Sequence, residues 1–191
     1  VIQAVATAID EELEPEEIAE IAAGIEPTDG IFYPGIVQMN YMTGELIKSY
    51  GNAPKMIIAM FDMGGSINTV EFHSEYHGHE DSPNELLEAI DKLDVDFSPR
   101  QIAHVATLSA LANQKLVPKP HLEEIIKYSA TLGALGVNVA HSGTMVGVLF
   151  APDESMKHVM EAVEKIREKF PELEYFETER LISGGYDIEQ R

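Results

Sequence analysis

The chain holds 191 residues, 45% of them hydrophobic, with no cysteine and a formal net charge of −20. That much apolar material supports one well-packed domain, or one domain plus part of another, and excludes a disordered chain. The missing cysteines exclude disulfide scaffolds, thiolate zinc sites and cysteine nucleophiles, and the acidic balance disfavours nucleic acid and anionic membrane surfaces as partners.

No apolar run reaches the ~20 residues of a membrane span. The start, "VIQAVATAIDEELEPEE", has neither the basic region nor the cleavage site of a secretory signal, so a cytoplasmic protein is expected. Nothing in the sequence specifies an oligomeric state. The chain opens at Val1 without an initiator methionine, inside an apolar pattern of Val1, Ile2, Val5 and Ile9 that reads as a helix lacking its N-cap. The expectation is a fragment.

In chain order, a first helix is predicted from Val1 to about Leu13, and Pro15 at a favoured first position opens a second, "PEEIAEIAAGI". Together they form a helical hairpin. "IVQMNYMTGELIKSY" reads as two short strands around Thr43 and Gly44, and "PKMIIAMFDM" as a strand buried on both faces that ends at Asp62. Three helices follow. Ser82, Pro83 and Glu85 suggest a capping box, Ser98-Pro99 repeats the device, and the third helix starts near Pro120 and stops near Gly133. After them come the strands "VNVAH" and "MVGVLF", a helix carrying Met156, Val159, Met160, Val163 and Ile166, and final strands in "LEYFET" and "RLISGG". From Lys55 this order matches a split β-α-β arrangement, so the predicted class is α+β with a ferredoxin-like antiparallel sheet and helices on one face. Topology alone assigns no activity.

Four stretches carry possible chemistry. In "GIEPTDGIFYPG", Asp29 stands at a turn where a carboxylate can act as a general base, although Asp-Gly is also an ordinary turn dipeptide. In "AHSGTMVG", Ser142 and Thr144 flank Gly143, so hydroxyl and amide donors can converge on an anion; a tight hairpin needs the same glycine. "FDMGGSINT" places Asp62, Gly64, Gly65, Ser66, Asn68 and Thr69 at the end of a buried strand, where ligand contacts gather, or where a turn simply re-aims the chain. "EFHSEYHGHED" groups His73, His77 and His79 with Glu75, Glu80 and Asp81, residue types that bind Zn²⁺ or Ni²⁺, yet the neighbouring Gly78 points to an irregular polar loop.

Taken together, "GIEPTDGIFYPGIV", "MFDMGGSINTVEFH" and "NVAHSGTMVGVLF" resemble the later part of a GHMP-type small-molecule kinase, most closely the L-threonine kinase branch associated with cobalamin synthesis. The resemblance covers nearly the whole chain. It implies ATP and Mg²⁺ as cofactors, and phosphoryl transfer to the side-chain hydroxyl of L-threonine, giving O-phospho-L-threonine. Asp29 then takes the position of the acidic residue that deprotonates or orients the acceptor hydroxyl. His141, Ser142, Gly143, Thr144 and Gly147 fall on the glycine-rich segment beside the active site, while Thr28, Asp62, Gly64, Gly65 and Asn68 would line the acceptor side. The case requires Asp29 and the Ser142 corner to stand on opposite walls of one hollow.

The sequence also departs from the family pattern. Asn68 stands where aspartate is usual, and a histidine-rich insertion follows Phe72. Nothing matches the earlier Gly-Ser-rich loop that binds ATP phosphates at a helix N-terminus. The implied organisation is therefore a remnant of the N-terminal kinase domain over 1–53 and the C-terminal kinase domain over 54–191, inactive by itself. Alternative readings are a relative acting on homoserine, a sugar or a mevalonate-like alcohol, and a non-catalytic ligand-binding or assembly module.

Overall fold

The computed structural model describes residues 1–25, 28–65, 82–115, 117–140 and 143–184. The chain divides into two units, one of Val1–Ala53 with the residues from Ile182 onward, the other of Pro54–Leu181.

In the first unit, α1 (Ile2–Ala8) stops well short of the expected Leu13. Asp10 takes the left-handed conformation at φ 59°, and the Glu11 amide turns back onto the Ala6 carbonyl at 2.9 Å, so the helix is closed off. α2 (Pro15–Ile25) begins on its proline, carries Glu16 and Glu17 in its positive first turn, and buries Ile18, Ala19 and Ala22. β1 (Ile36–Met39) and β2 (Leu46–Gly51) form an antiparallel hairpin. At its tip Gly44 has φ +77°, and a Cβ there would come within 2.5 Å of the Ala19 carbonyl oxygen. Glycine thus serves both the turn and the close approach to α2. The buried Tyr33 donates its hydroxyl to the Gly44 carbonyl at 2.9 Å, tying the segment before β1 to the same tip.

The second unit runs β3 (Ile57–Asp62), α3 (Asn84–Asp91) with a 3-10 turn at Lys92–Asp94, α4 (Pro99–Asn113), α5 (Leu122–Thr131), β4 (Gly136–Val139), β5 (Met145–Phe150), α6 (Met156–Lys169) and β6 (Glu174–Arg180). The sheet order is β4-β5-β3-β6 with every neighbour antiparallel. This is the ferredoxin-like pattern, in which β5 splits β3 from β4, and the class is α+β.

One face of the sheet carries Ile57, Ala59 and Phe61 from β3 and Val146, Val148 and Phe150 from β5. They pack with Leu122 and Ile125 of α5 and with Val159, Ala162, Val163 and Ile166 of α6. Each large apolar side chain buried there contributes about 1.5–3 kcal/mol of transfer free energy. The helix α4 runs beside β4 at the sheet edge. The Thr107 hydroxyl accepts from the Val137 amide at 2.9 Å and donates to the Ala103 carbonyl at 2.8 Å. Ala103, with Ile102 and Ala106, joins a smaller cluster with Ile58 and Leu149 from the other face.

Several local expectations change. β3 is buried alternately, Ile57, Ala59 and Phe61 fully and the residues between them partly, because only one of its faces meets the main helical layer; β5 is the strand buried on both sides over Val146–Phe150. The capping box at Ser82 does not form: Pro83 is the N-cap and no side chain caps the helix, which places Glu85 one position too early to reach back. At Ser98 the device does form, the hydroxyl accepting from the Gln101 amide at 3.2 Å. The two final strands are one, β6; Leu181–Gly184 are not strand, and the Leu181 amide closes the run on the Met56 carbonyl at 3.0 Å.

Candidate functional site

Asp62 and Gly64 of "FDMGG" meet Thr144 of "HSGT" at the end of β3. Register pairs Asp62 with Met145, and the Met63 amide continues the ladder onto the Thr144 carbonyl at 3.1 Å. Asp62 accepts from the Thr144 hydroxyl and, at 2.9 Å, from the Gly64 amide; these bonds, the Thr144 one the stronger, hold its carboxyl below the usual aspartate range against a smaller opposing effect of burial. Gly64 and Gly65 turn the chain away from the strand at φ +70° and +85°, with open space where a side chain would be. Glycine is needed there for its backbone and not for a tight fit. The result is an ionised carboxylate fixed from two sides and partly open to solvent.

Beyond the Val139–Val146 pair, the Ala140 amide bonds the Met145 carbonyl at 2.9 Å. Gly143 and Thr144 are partly buried. His141 and Ser142 lie outside the described residues, and with them the expectation of a hollow shared with Asp29. The same holds for Asn68 and for His73, His77 and His79. Among the described residues no group of three or more histidine, aspartate or glutamate side chains could hold a metal ion. The described residues thus offer no carboxylate or imidazole cluster to hold a nucleotide-bound Mg²⁺.

Thr28 and Asp29 belong to the first unit. The Thr28 amide bonds the Tyr41 carbonyl at 3.0 Å, and the Tyr33 amide bonds the Gly30 carbonyl at 3.1 Å, so the backbone is tethered on both sides of Asp29. A Cβ on Gly30 would come within 2.9 Å of Val37 Cγ2 and 3.0 Å of Met39 Sδ, which packs this turn onto β1. Asp29 itself projects exposed from that anchored turn.

Gly147, the last glycine of the segment expected beside the active site, is a strand residue. It sits buried inside β5, directly opposite Asn138 of β4. A Cβ there would collide with Asn138 Oδ1 and come within 3.0 Å of Ile58 Cγ2. Its lack of a side chain makes room for the Asn138 carboxamide. Asn138 was not singled out from the sequence; the available signal was a lone carboxamide in an apolar strand with a glycine inside its neighbour.

Residues 82–169, from α3 through α6, match the family model described as GHMP kinases C terminal. Two curated relatives are L-threonine kinases. The one from Citrobacter freundii is 22% identical over 189 residues, covering 93% of this chain and 64% of the relative. The one from Salmonella typhimurium is 24% identical over 153 residues, covering 76% of this chain and 51% of the relative. The chain thus spans between half and two thirds of the length of the relatives it matches. Among solved structures, the mevalonate kinase of Methanococcus jannaschii superposes with a TM-score of 0.63 at 18% identity, over 94% of this chain and 61% of that one, a likeness of fold. No helix among the described residues is long and apolar enough to cross a membrane.

Proposed function

We propose that the protein to which this chain belongs is an ATP- and Mg²⁺-dependent kinase that phosphorylates the side-chain hydroxyl of L-threonine, giving O-phospho-L-threonine for cobalamin synthesis in the cytoplasm. The observation that carries the reading is the junction at the end of β3, where Thr144 and Gly64 converge on the Asp62 carboxylate and join two of the three motif stretches. The names of the two curated relatives support threonine as the acceptor. Phosphoryl transfer depends on in-line placement of the nucleophile and on neutralising charge. Asp29, projecting from a tethered turn, is the carboxylate assigned to orient and deprotonate the acceptor hydroxyl. Thr28, Asp62, Gly64, Gly65, Asn68, His141, Ser142, Gly143 and Thr144 are assigned to the lining of the acceptor site.

The test is phosphorylation of a panel, L-threonine, L-homoserine, a mevalonate-like alcohol and a sugar, by the full-length natural protein with Mg·ATP. Threonine should be the preferred acceptor. Asp29→Asn should lower kcat by about 10² to 10⁴, the usual contribution of a positioned base, with nucleotide affinity intact. A change of only a few-fold would remove Asp29 from this role. Preference for another alcohol would move the assignment within the family, and no transfer to any alcohol would favour a non-catalytic module.

A further inference from the structure

Asp62 ends its strand with a charge that the flanking strands do not neutralise. Two donors meet it, the Thr144 hydroxyl and, at 2.9 Å, the Gly64 amide, and together they keep the carboxyl ionised. The residues paired with Asp62 across the sheet are Met145 of β5 and Glu174 of β6, so neither strand sets a cation opposite it. An ionised carboxylate has room for about four hydrogen bonds, and these donors occupy only part of that capacity.

The carboxylate is also within reach of a ligand. Asp62 is partly exposed, Gly64 and Gly65 beyond it are exposed, and a Cβ on either glycine would meet no atom within 4 Å. A side chain that served only to close the turn would need the Gly64 bond alone, a contact that a neutral asparagine makes as well. The Thr144 hydroxyl comes from the other motif stretch and holds the carboxylate in one orientation before any ligand arrives. The remaining acceptor capacity is therefore fixed in place, negatively charged and open to solvent, which suits a cationic donor and opposes an anionic one.

We infer that Asp62 is a specificity-determining residue, the counter-ion for the ammonium group of an amino-acid alcohol, and that Thr144 is its positioning residue. The inference rests on the kinase reading above and adds to it the group that separates amino-acid alcohols from other acceptors. Of the three polar groups of L-threonine, the hydroxyl is assigned to Asp29 and the ammonium matches Asp62, while the carboxylate is repelled by Asp62 and points away from it. An acceptor whose only charge is a carboxylate gains nothing from this residue.

The experiment is calorimetric titration of the full-length protein with L-threonine and with 3-hydroxybutanoate, the same skeleton without the ammonium. The parent should bind L-threonine more tightly by about tenfold or more. Asp62→Asn, which keeps the shape and the bond from Gly64, should weaken L-threonine binding by about 10- to 100-fold, the loss expected for a hydrogen bond to a charged group, and should not weaken 3-hydroxybutanoate. Thr144→Val should lower the preference for L-threonine, and Thr144→Ser should restore it, a rescue that a purely steric role for Thr144 would not give. A parent without the preference, a loss for L-threonine below about tenfold in Asp62→Asn, or equal losses for both compounds would overturn the inference. If Asp62→Asn does not fold, the Thr144 pair decides, and a preference unchanged in Thr144→Val overturns it. Where Asp62→Asn behaves as expected and Thr144→Val does not, Thr144 loses its positioning role and the counter-ion stands. The kinase reading is judged separately by the phosphorylation panel: binding that depends on Asp62 without transfer to any alcohol would sink that reading alone, and transfer without this dependence would sink the inference alone.

Discussion

At the scale of single residues, Asp62 and Lys119 show opposite treatments of a charge. Asp62 is met by two donors and kept ionised. Lys119, just before α5, is 4% exposed, and its Nζ is buried without a hydrogen-bond partner. Only its backbone is satisfied, the Gln114 carboxamide accepting from its amide at 2.6 Å and donating to its carbonyl at 3.0 Å. Burial lowers its pKa below the ordinary 10.5. The folded state therefore releases this proton more readily than the unfolded chain, so the group costs stability below its folded pKa, and the cost fades as pH rises from there toward 10.5. Lys119→Met should raise stability at pH 7 by about 1–3 kcal/mol, the penalty of an unsatisfied buried polar group. Urea unfolding should show that gain shrinking as the solution is made alkaline. A variant no more stable than the parent at neutral pH would mean that the ammonium is already compensated.

At the scale of elements, the edge strand β4 depends on α4 for more than apolar cover. An exposed strand edge invites pairing with other chains, and here Thr107 occupies part of it, accepting from Val137 and anchored in turn on Ala103. Gly136 allows the approach, since a Cβ there would come within 2.5 Å of both the Ala103 carbonyl oxygen and Thr107 Oγ1. Thr107→Val should destabilise by about 1–3 kcal/mol by orphaning the Val137 amide, while Thr107→Ser should restore most of it; chemical denaturation of the two variants separates hydroxyl from shape. Equal stability of the valine variant and the parent would show that the bond contributes nothing.

These elements also mark what could be read from the sequence. Local signals sufficed for α2, the Thr43–Gly44 turn, the Ser98 cap and the strand order, because proline, glycine and apolar period act within a few residues. They failed at Ser82, where the same Ser-Pro pair enters its helix one residue later, and at Leu13, where a left-handed Asp10 ends α1 early. The Asp62–Thr144 junction was legible as two motifs but not as a contact. Thr107 was not legible at all and Asn138 only as a lone carboxamide in an apolar strand, since a threonine in a helix and an asparagine in a strand acquire meaning only from partners 30 and nine positions away.

At the scale of the whole molecule, a net charge of −20 over 191 residues makes self-repulsion a continuous load on the folded state. Salt shortens the range of that repulsion to about 3 Å at 1 M from about 10 Å at 0.1 M. Thermal melts should therefore show Tm rising with sodium chloride before any specific ion effect, and a fall in Tm over that range would mean that attractive pairs dominate. The surface pairs present, such as Arg167–Glu164 at 3.0 Å and Lys127–Glu123 at 3.3 Å, are exposed and contribute little each.

The sheet order has a practical side. The stretch that matches the family, 82–169, contains neither β3 nor β6, yet β3 lies between β5 and β6 in the finished sheet. Excising the gene at the limits of recognisable similarity would remove the strand at the sheet's centre, baring the flank of β5 and the apolar undersides of two helices. A recombinant fragment meant to stay in solution should begin upstream of Lys55 and run past Leu181, because β3 and β6 lie outside the matched stretch and yet complete the hydrogen-bonded scaffold of this domain.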